Sequence, residues 1–75
     1  MMGTNKAEDR KKLEQLPHGK ECTVFWFEDG GGLVYRVWDM YVLFEVPQYG
    51  GEPNYGGTFH EKQIDELLDL AYSWT

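Results

Sequence analysis

The chain is predicted to fold as an α+β domain: an antiparallel three- to four-stranded meander, a C-terminal amphipathic helix packed on one face, and a short N-terminal helix. Three observations carry this expectation. Residues 21–46 are dense in aromatic and β-branched side chains and are interrupted by glycine- and aspartate-bearing text, the composition of short strands joined by tight turns. After Thr58, apolar residues recur at helical spacing with acids between them. Residues 5–16 contain no glycine or proline and close at Pro17, as a short polar helix would. At 75 residues the chain reads as a single small domain, 1–75, and as a complete small gene product. A domain of that size buries roughly 60% of the surface its unfolded chain exposes, which leaves little room for an enclosed active site.

Taken in order, residues 1–4 are expected to be disordered. Asn5 can cap the first helix, with Glu8 three residues on in a weak capping box, and Pro17 ends it. Leu13 and Leu16 are its only large apolar residues. It is therefore expected to dock by its last turn alone, and removal of residues 1–12 is expected to cost little stability. Pro17, His18, Gly19 and Lys20 read as a turn. The first strand is placed at 21–28, and Asp29 with the three glycines after it reads as a hairpin, because glycine tolerates the positive φ of tight turns. The second strand is placed at 33–38 and the third at 41–46, ended by Pro47. The intervening Asp39–Met40 step lacks glycine and asparagine, so either the turn has poor chemistry or Asp39 takes the left-handed position itself. Tyr-Gly-Gly then occurs twice, at 49–51 and 55–57, within a broad loop whose return arm, 55–59, can add a fourth edge strand. The last helix is expected to open with a capping box from Thr58 to Glu61. Its polar arc would carry Glu61, Asp65, Glu66 and Asp69, and its apolar arc Ile64, Leu67, Leu68, Leu70, Ala71, Tyr72 and Trp74. That apolar arc is wider than the stripe of roughly 100° that one sheet face requires.

The aromatic residues are the main functional clue. Side chains alternate across a strand, so Phe25 and Phe27 point one way and Trp26 the other. A sheet apolar on both faces needs two covers, and this chain has one convincing helix to offer. The residues expected to contact a partner are Phe25, Trp26, Phe27, Trp38, Tyr49 and Tyr55.

Charge adds a second clue. The net charge is −6, unevenly spread: residues 1–20 carry +2 and residues 21–75 carry −8. An acidic body repels nucleic-acid phosphates and favours basic partners. The acidic arc Glu61, Asp65, Glu66 and Asp69 reads as a solvated face, or else as imitation of a phosphate row that would occupy the groove of a DNA-binding protein, as small acidic inhibitors of phages and mobile elements do.

Specific chemistry is harder to find. The single cysteine, Cys22, excludes an intramolecular disulfide and favours a reducing, cytoplasmic setting. His18, Cys22 and His60 are the only soft metal ligands and lack zinc spacing, so no metal or other cofactor is expected. Cys22 has no nucleophile signature around it. Glycines 30–32 precede a strand, whereas a phosphate cradle needs a helix. Stacking on single-stranded RNA would need basic residues among the rings, and Arg36 is the only cation in the strand text. Tyr49 and Tyr55 with their glycines form a third candidate, a platform for a small ligand. The expectation is a small, acidic, non-catalytic protein–protein interaction or regulatory module. It would be cytoplasmic, would bind a protein partner or form a homodimer through an aromatic sheet face, and would not bind nucleic acid or membrane directly.

Overall fold

Four strands follow one another in space in the order of the sequence. A computed structural model describes residues 5–74; the fraying expected at residues 1–4 lies outside the described residues. The elements are α1 (Lys6–Glu14), β1 (Glu21–Phe27), β2 (Gly30–Val37), β3 (Met40–Val46), β4 (Asn54–His60), a short 3-10 turn (Glu61–Gln63) and α2 (Ile64–Tyr72). The sheet is an antiparallel meander, β1-β2-β3-β4, so the α+β class and the fourth strand are observed.

Alternation along the strands sorts the sheet into two faces. Val24, Val34, Tyr41 and Leu43 share one face through the pairs Val34↔Leu43 and Val24↔Gly32 and the alternation of β3. These four are buried with Leu13 and Leu16 from the first helical segment and Ile64, Leu67, Leu68 and Ala71 from α2. Both helices therefore sit on the same face. Leu13, Leu43 and Leu67 are fully excluded from water, and each such burial contributes about 1.5–3 kcal/mol.

Four local expectations are corrected. First, α1 does not dock by its last turn alone. Asp9, in its first turn, is 0% exposed. Its Oδ2 accepts from the Phe25 backbone N–H at 2.9 Å and from the Tyr72 hydroxyl at 2.6 Å. A polar residue thus anchors the segment that apolar counting had dismissed, and removal of residues 1–12 would take that anchor away.

Second, the glycines are not the hairpin turn. Glu28 and Asp29 form the turn, with Glu28 at φ 54°, and Gly30 already belongs to β2. Gly31 is needed for space: Phe25 and Trp26 together oppose it in a β-bulge between Val24 and Phe27. A Cβ on Gly31 would lie 2.2 Å from the Phe25 carbonyl oxygen.

Third, Trp38 and not Asp39 takes the left-handed conformation between β2 and β3, at φ 54°. A bulky residue there costs of order 1–3 kcal/mol. The His18 ring offsets part of that cost by stacking on Trp38 at 3.9 Å, while its Nδ1 accepts from the Trp38 N–H at 2.9 Å.

Fourth, Thr58 is not a helix cap. Pairing of Tyr41 with Phe59 and Met40 with His60 carries β4 through His60. The capping box forms two residues later: His60 Nδ1 accepts from the Lys62 N–H, and Gln63 Oε1 from the His60 N–H.

Candidate functional site

The sheet face opposite the helices carries the residues of the other parity. Strand β2 contributes Leu33, Tyr35 and Val37, and β3 contributes Val42, Phe44 and Val46, as the pairs Leu33↔Phe44, Tyr35↔Val42 and Gly31↔Val46 require. Met40 joins them at one end and Tyr55 at the β4 side, opposite Phe44. Trp26, which alternates with the inward Phe25 and Phe27, belongs to this face as well.

Tyr35, Phe44 and Tyr55 form a continuous aromatic row across three strands. Their ring centroids are 5.9 and 6.0 Å apart with interplanar angles of 88° and 70°, the edge-to-face geometry that aromatic quadrupoles favour. Tyr35 is 37% exposed, Val37 44% and Tyr55 65%. The Tyr55 hydroxyl is fixed by a 2.6 Å hydrogen bond with the Thr58 hydroxyl. Four strands of seven or so residues span roughly 19 by 23 Å, about 400 Å² in projection. The largest apolar patch on a monomer is commonly about 300–600 Å² and is often functional. The charged members of this face, Glu21 (opposite Tyr35) and His60 (opposite Met40), both sit at the same end of the sheet.

The sheet edges are less inviting than the face. Strand β1 is bulged at Phe25, whose N–H is held by Asp9. Strand β4 is bulged between the partners of Leu43 and Phe44. Bulges twist an edge away from regular pairing with another strand.

The residues singled out from sequence separate into five places. Phe25 and Phe27 point to the helix side, where Phe25 packs against Tyr72 at 4.8 Å and against Phe27 at 4.9 Å. Trp26 and Tyr55 lie on the uncovered face. Trp38 is 72% exposed in the β2–β3 turn, and Tyr49 is 87% exposed in the loop after β3. The acidic residues form their own group, and their partners are internal. Asp69 pairs with Lys6 at 2.7 Å, Asp65 with Arg10, and Glu61 with Arg36 at 2.6 Å, while Glu66 accepts from the Gln63 amide.

Sequence reasoning missed Leu33, Tyr35, Val37, Val42, Phe44 and Val46 as a surface set. The signal was present: β2 and β3 are apolar at odd and even positions alike. Reading the surplus from β1 alone drew attention to Phe25 and Phe27 and away from the middle strands.

Chemically reactive groups are quiet. Burial pushes the Cys22 thiol up from its ordinary range, with Lys12 opposing and Asp9 reinforcing the effect, so little thiolate forms at neutral pH. Burial likewise pushes the Tyr41 hydroxyl up, against the Arg36 guanidinium; that hydroxyl donates to the Leu13 carbonyl at 2.7 Å and accepts from Arg36 at 2.6 Å. Among the described residues no three His, Cys, Asp or Glu side chains are grouped to hold a metal ion, and no helix is long and apolar enough to cross a membrane. No family model, curated protein or solved structure matches this chain.

Proposed function

We propose that the chain is a non-catalytic protein-binding module that pairs with a second copy of itself through the uncovered sheet face. One observation carries this reading: both helices cover the same side of the sheet, so the Tyr35–Phe44–Tyr55 row and its aliphatic neighbours have no covering element among the described residues.

A second copy suits this face better than a basic partner does. The centre of the face is free of charge, so two copies meet without like charges in contact. Their acidic helices would lie outermost, roughly 30 Å apart across two sheet–helix layers and well beyond the Debye length of about 8–10 Å near physiological salt. The net charge of −6 on each copy is then a weak opponent. A projected area of about 400 Å² per copy, about 800 Å² for the pair, is below the roughly 1,000 Å² of a stable specific interface, so the dimer is expected to be weak and to dissociate on dilution. Imitation of a phosphate row is less well supported, because Asp65 and Asp69 already pair with Arg10 and Lys6.

Sedimentation equilibrium over a wide concentration range tests the proposal. The wild type should show a monomer–dimer equilibrium, and Phe44→Glu should be monomeric with an unchanged far-ultraviolet spectrum. A wild type that stays monomeric at the highest attainable concentration would overturn self-association.

A further inference from the structure

The helix side of the sheet holds a cavity of about 440 Å³, where β1 ends, β2 begins and β3 ends. This volume is within the range of small-molecule sites, about 300–1,000 Å³. Three of its walls are the rings of Phe25, Phe27 and Trp74; Glu45, Pro47 and Gln48 also line it, with Gly30, Gly31 and Val46 at the strand ends. The Phe25 and Phe27 rings stand 72° apart with centroids at 4.9 Å, which makes a corner of two ring surfaces. Trp74 lies over Gly56, where a Cβ would come within 3.3 Å of the indole. The absent side chain lets the indole close the third wall.

Glu45 is the unusual member. It is half-buried, and its register partners are Gly32 and Asn54. Gly32 offers no side chain to cover it. Among the described residues the Glu45 side chain has neither a hydrogen bond nor an ion pair, unlike Glu61, Asp65 and Asp69. A half-buried carboxylate beside three aromatic rings and without a partner is available to a cation.

The surrounding charge has the same sense. This end of the sheet carries Glu28, Asp29, Glu45 and Glu52. No Lys or Arg lines the cavity; Lys6 of α1 comes nearest, its ammonium 5.7 Å from the Tyr72 ring that packs on Phe25, and Asp69 pairs with it at 2.7 Å. The field at the cavity mouth therefore attracts cations and repels phosphates and carboxylates.

We infer that this cavity binds an organic cation of the alkylated-ammonium class, with the rings of Phe25, Phe27 and Trp74 around its methyl groups and Glu45 opposite its charge. Rings attract a cation through their negative faces, and alkylation lowers the cost of stripping water from the ammonium. A simple hydrated ammonium gains less from these apolar walls. A phosphate-bearing ligand is disfavoured by the four acids. The same trimethylammonium head can belong to a free small molecule or to a methylated lysine side chain of another protein. Apart from Gly31 and Val46, which belong to the opposite face, the lining lies on the helix side of the sheet, and a cation titration tests the site separately from self-association.

The test is a titration of the isotope-labelled protein, followed by nuclear magnetic resonance. The probes are choline chloride and a peptide carrying trimethyl-lysine. The controls are sodium chloride and the neutral carbon isostere of choline. The Trp74 indole N–H and the amides of residues 25–31, 45, 46 and 48 should shift saturably with at least one cation. Glu45→Gln, checked for an unchanged melting temperature, should weaken that binding about tenfold, and the neutral isostere should bind wild type about tenfold more weakly than choline, the effect of losing roughly one close charge interaction. Shifts with choline alone assign a free small cation; shifts with the peptide alone assign a modified side chain. Equal binding of the neutral isostere, indifference to Glu45→Gln, shifts confined to other residues, or no shift with either cation would each overturn the inference.

Discussion

Replacing Asp9 by alanine should be among the most damaging changes in the chain, although it removes a charged residue from a polar helix. The carboxylate is fully buried and a single oxygen, Oδ2, accepts from both the Phe25 N–H and the Tyr72 hydroxyl. The other oxygen has only the Lys12 ammonium at 3.5 Å. Alanine would take the acceptor away from both donors, and a buried donor that loses its acceptor costs about 1–3 kcal/mol. Relief of the buried charge returns part of that, because an imperfectly paired carboxylate is itself expensive to bury. A net loss of about 2–4 kcal/mol is expected, and at roughly 4–8 °C per kcal/mol for a domain of this size the melting temperature should fall by about 10–25 °C.

The shared oxygen makes a sharper comparison possible. In Asp9→Asn the amide oxygen can occupy the Oδ2 position and keep both donors satisfied, so this variant should lose only about 1 kcal/mol. Tyr72→Phe removes one donor, and its double-mutant cycle with Asp9→Ala should show coupling of about 1–2 kcal/mol. Urea unfolding monitored by tryptophan fluorescence gives all four values, with the exposed Glu8→Ala in the same helix as a control expected within about 0.5 kcal/mol of wild type. If Asp9→Ala matched Glu8→Ala, or if the asparagine and alanine variants were equally unstable, the account of Asp9 as a three-element lock would be wrong.

Two further perturbations follow from the same geometry. The Tyr41 hydroxyl titrates above its ordinary value of 10.0 in the folded protein; its stabilisation is fully present below about pH 10 and is lost as pH rises through the folded value. The urea midpoint of wild type should therefore fall more steeply above that pH than the midpoint of Tyr41→Phe, which starts about 1–2 kcal/mol lower at neutral pH for want of the Leu13 and Arg36 bonds; parallel curves would refute the assignment. Gly31→Ala places a Cβ 2.2 Å from the Phe25 carbonyl oxygen and 2.8 Å from the Trp26 Cα at φ 147°, and should cost more than about 3 kcal/mol, whereas Gly50→Ala, also at positive φ but with nothing within 4 Å, should cost about 1 kcal/mol. Similar melting temperatures for the two would mean that the bulge can relax.

The strands, the C-terminal helix and the meander order were legible because each leaves a short-range pattern. Tight turns separate Val24, Val34 and Leu43, and Leu67, Leu68 and Ala71 recur at helical spacing. What was illegible depends on contacts remote in sequence. Asp9 meets Tyr72 across 63 residues, and no local rule marks an acid in a polar helix as buried. Gly31 is required by the carbonyl of Phe25 on the neighbouring strand. Trp38 adopts its left-handed turn with His18 stacked on it, 20 residues earlier in the chain. The aromatic surplus was readable, but its distribution was not, because the bulge at Phe25 sets which rings turn toward the helices.

The uncovered face follows from what α1 is made of. A helix that covers an apolar sheet face needs a continuous apolar stripe, and α1 has one large apolar residue within its bounds, Leu13, with Leu16 just beyond. Laid across Tyr35, Phe44 and Val46, it would have put Lys and Arg stems over a surface whose acid, Glu21, sits at one end. Beside α2 the same residues find partners: Lys6 meets Asp69 and Arg10 meets Asp65. These exposed pairs are worth only about 0–1 kcal/mol each, so they steer α1 more than they hold it, and the buried Asp9 fixes its position. The acidic arc of α2 and the basic stretch of α1 thus belong to one arrangement, which draws both helices to a single side. The consequence is that no described helix covers the opposite side, and a row of edge-to-face rings flanked by Val37, Val42 and Val46 is poorly suited to water.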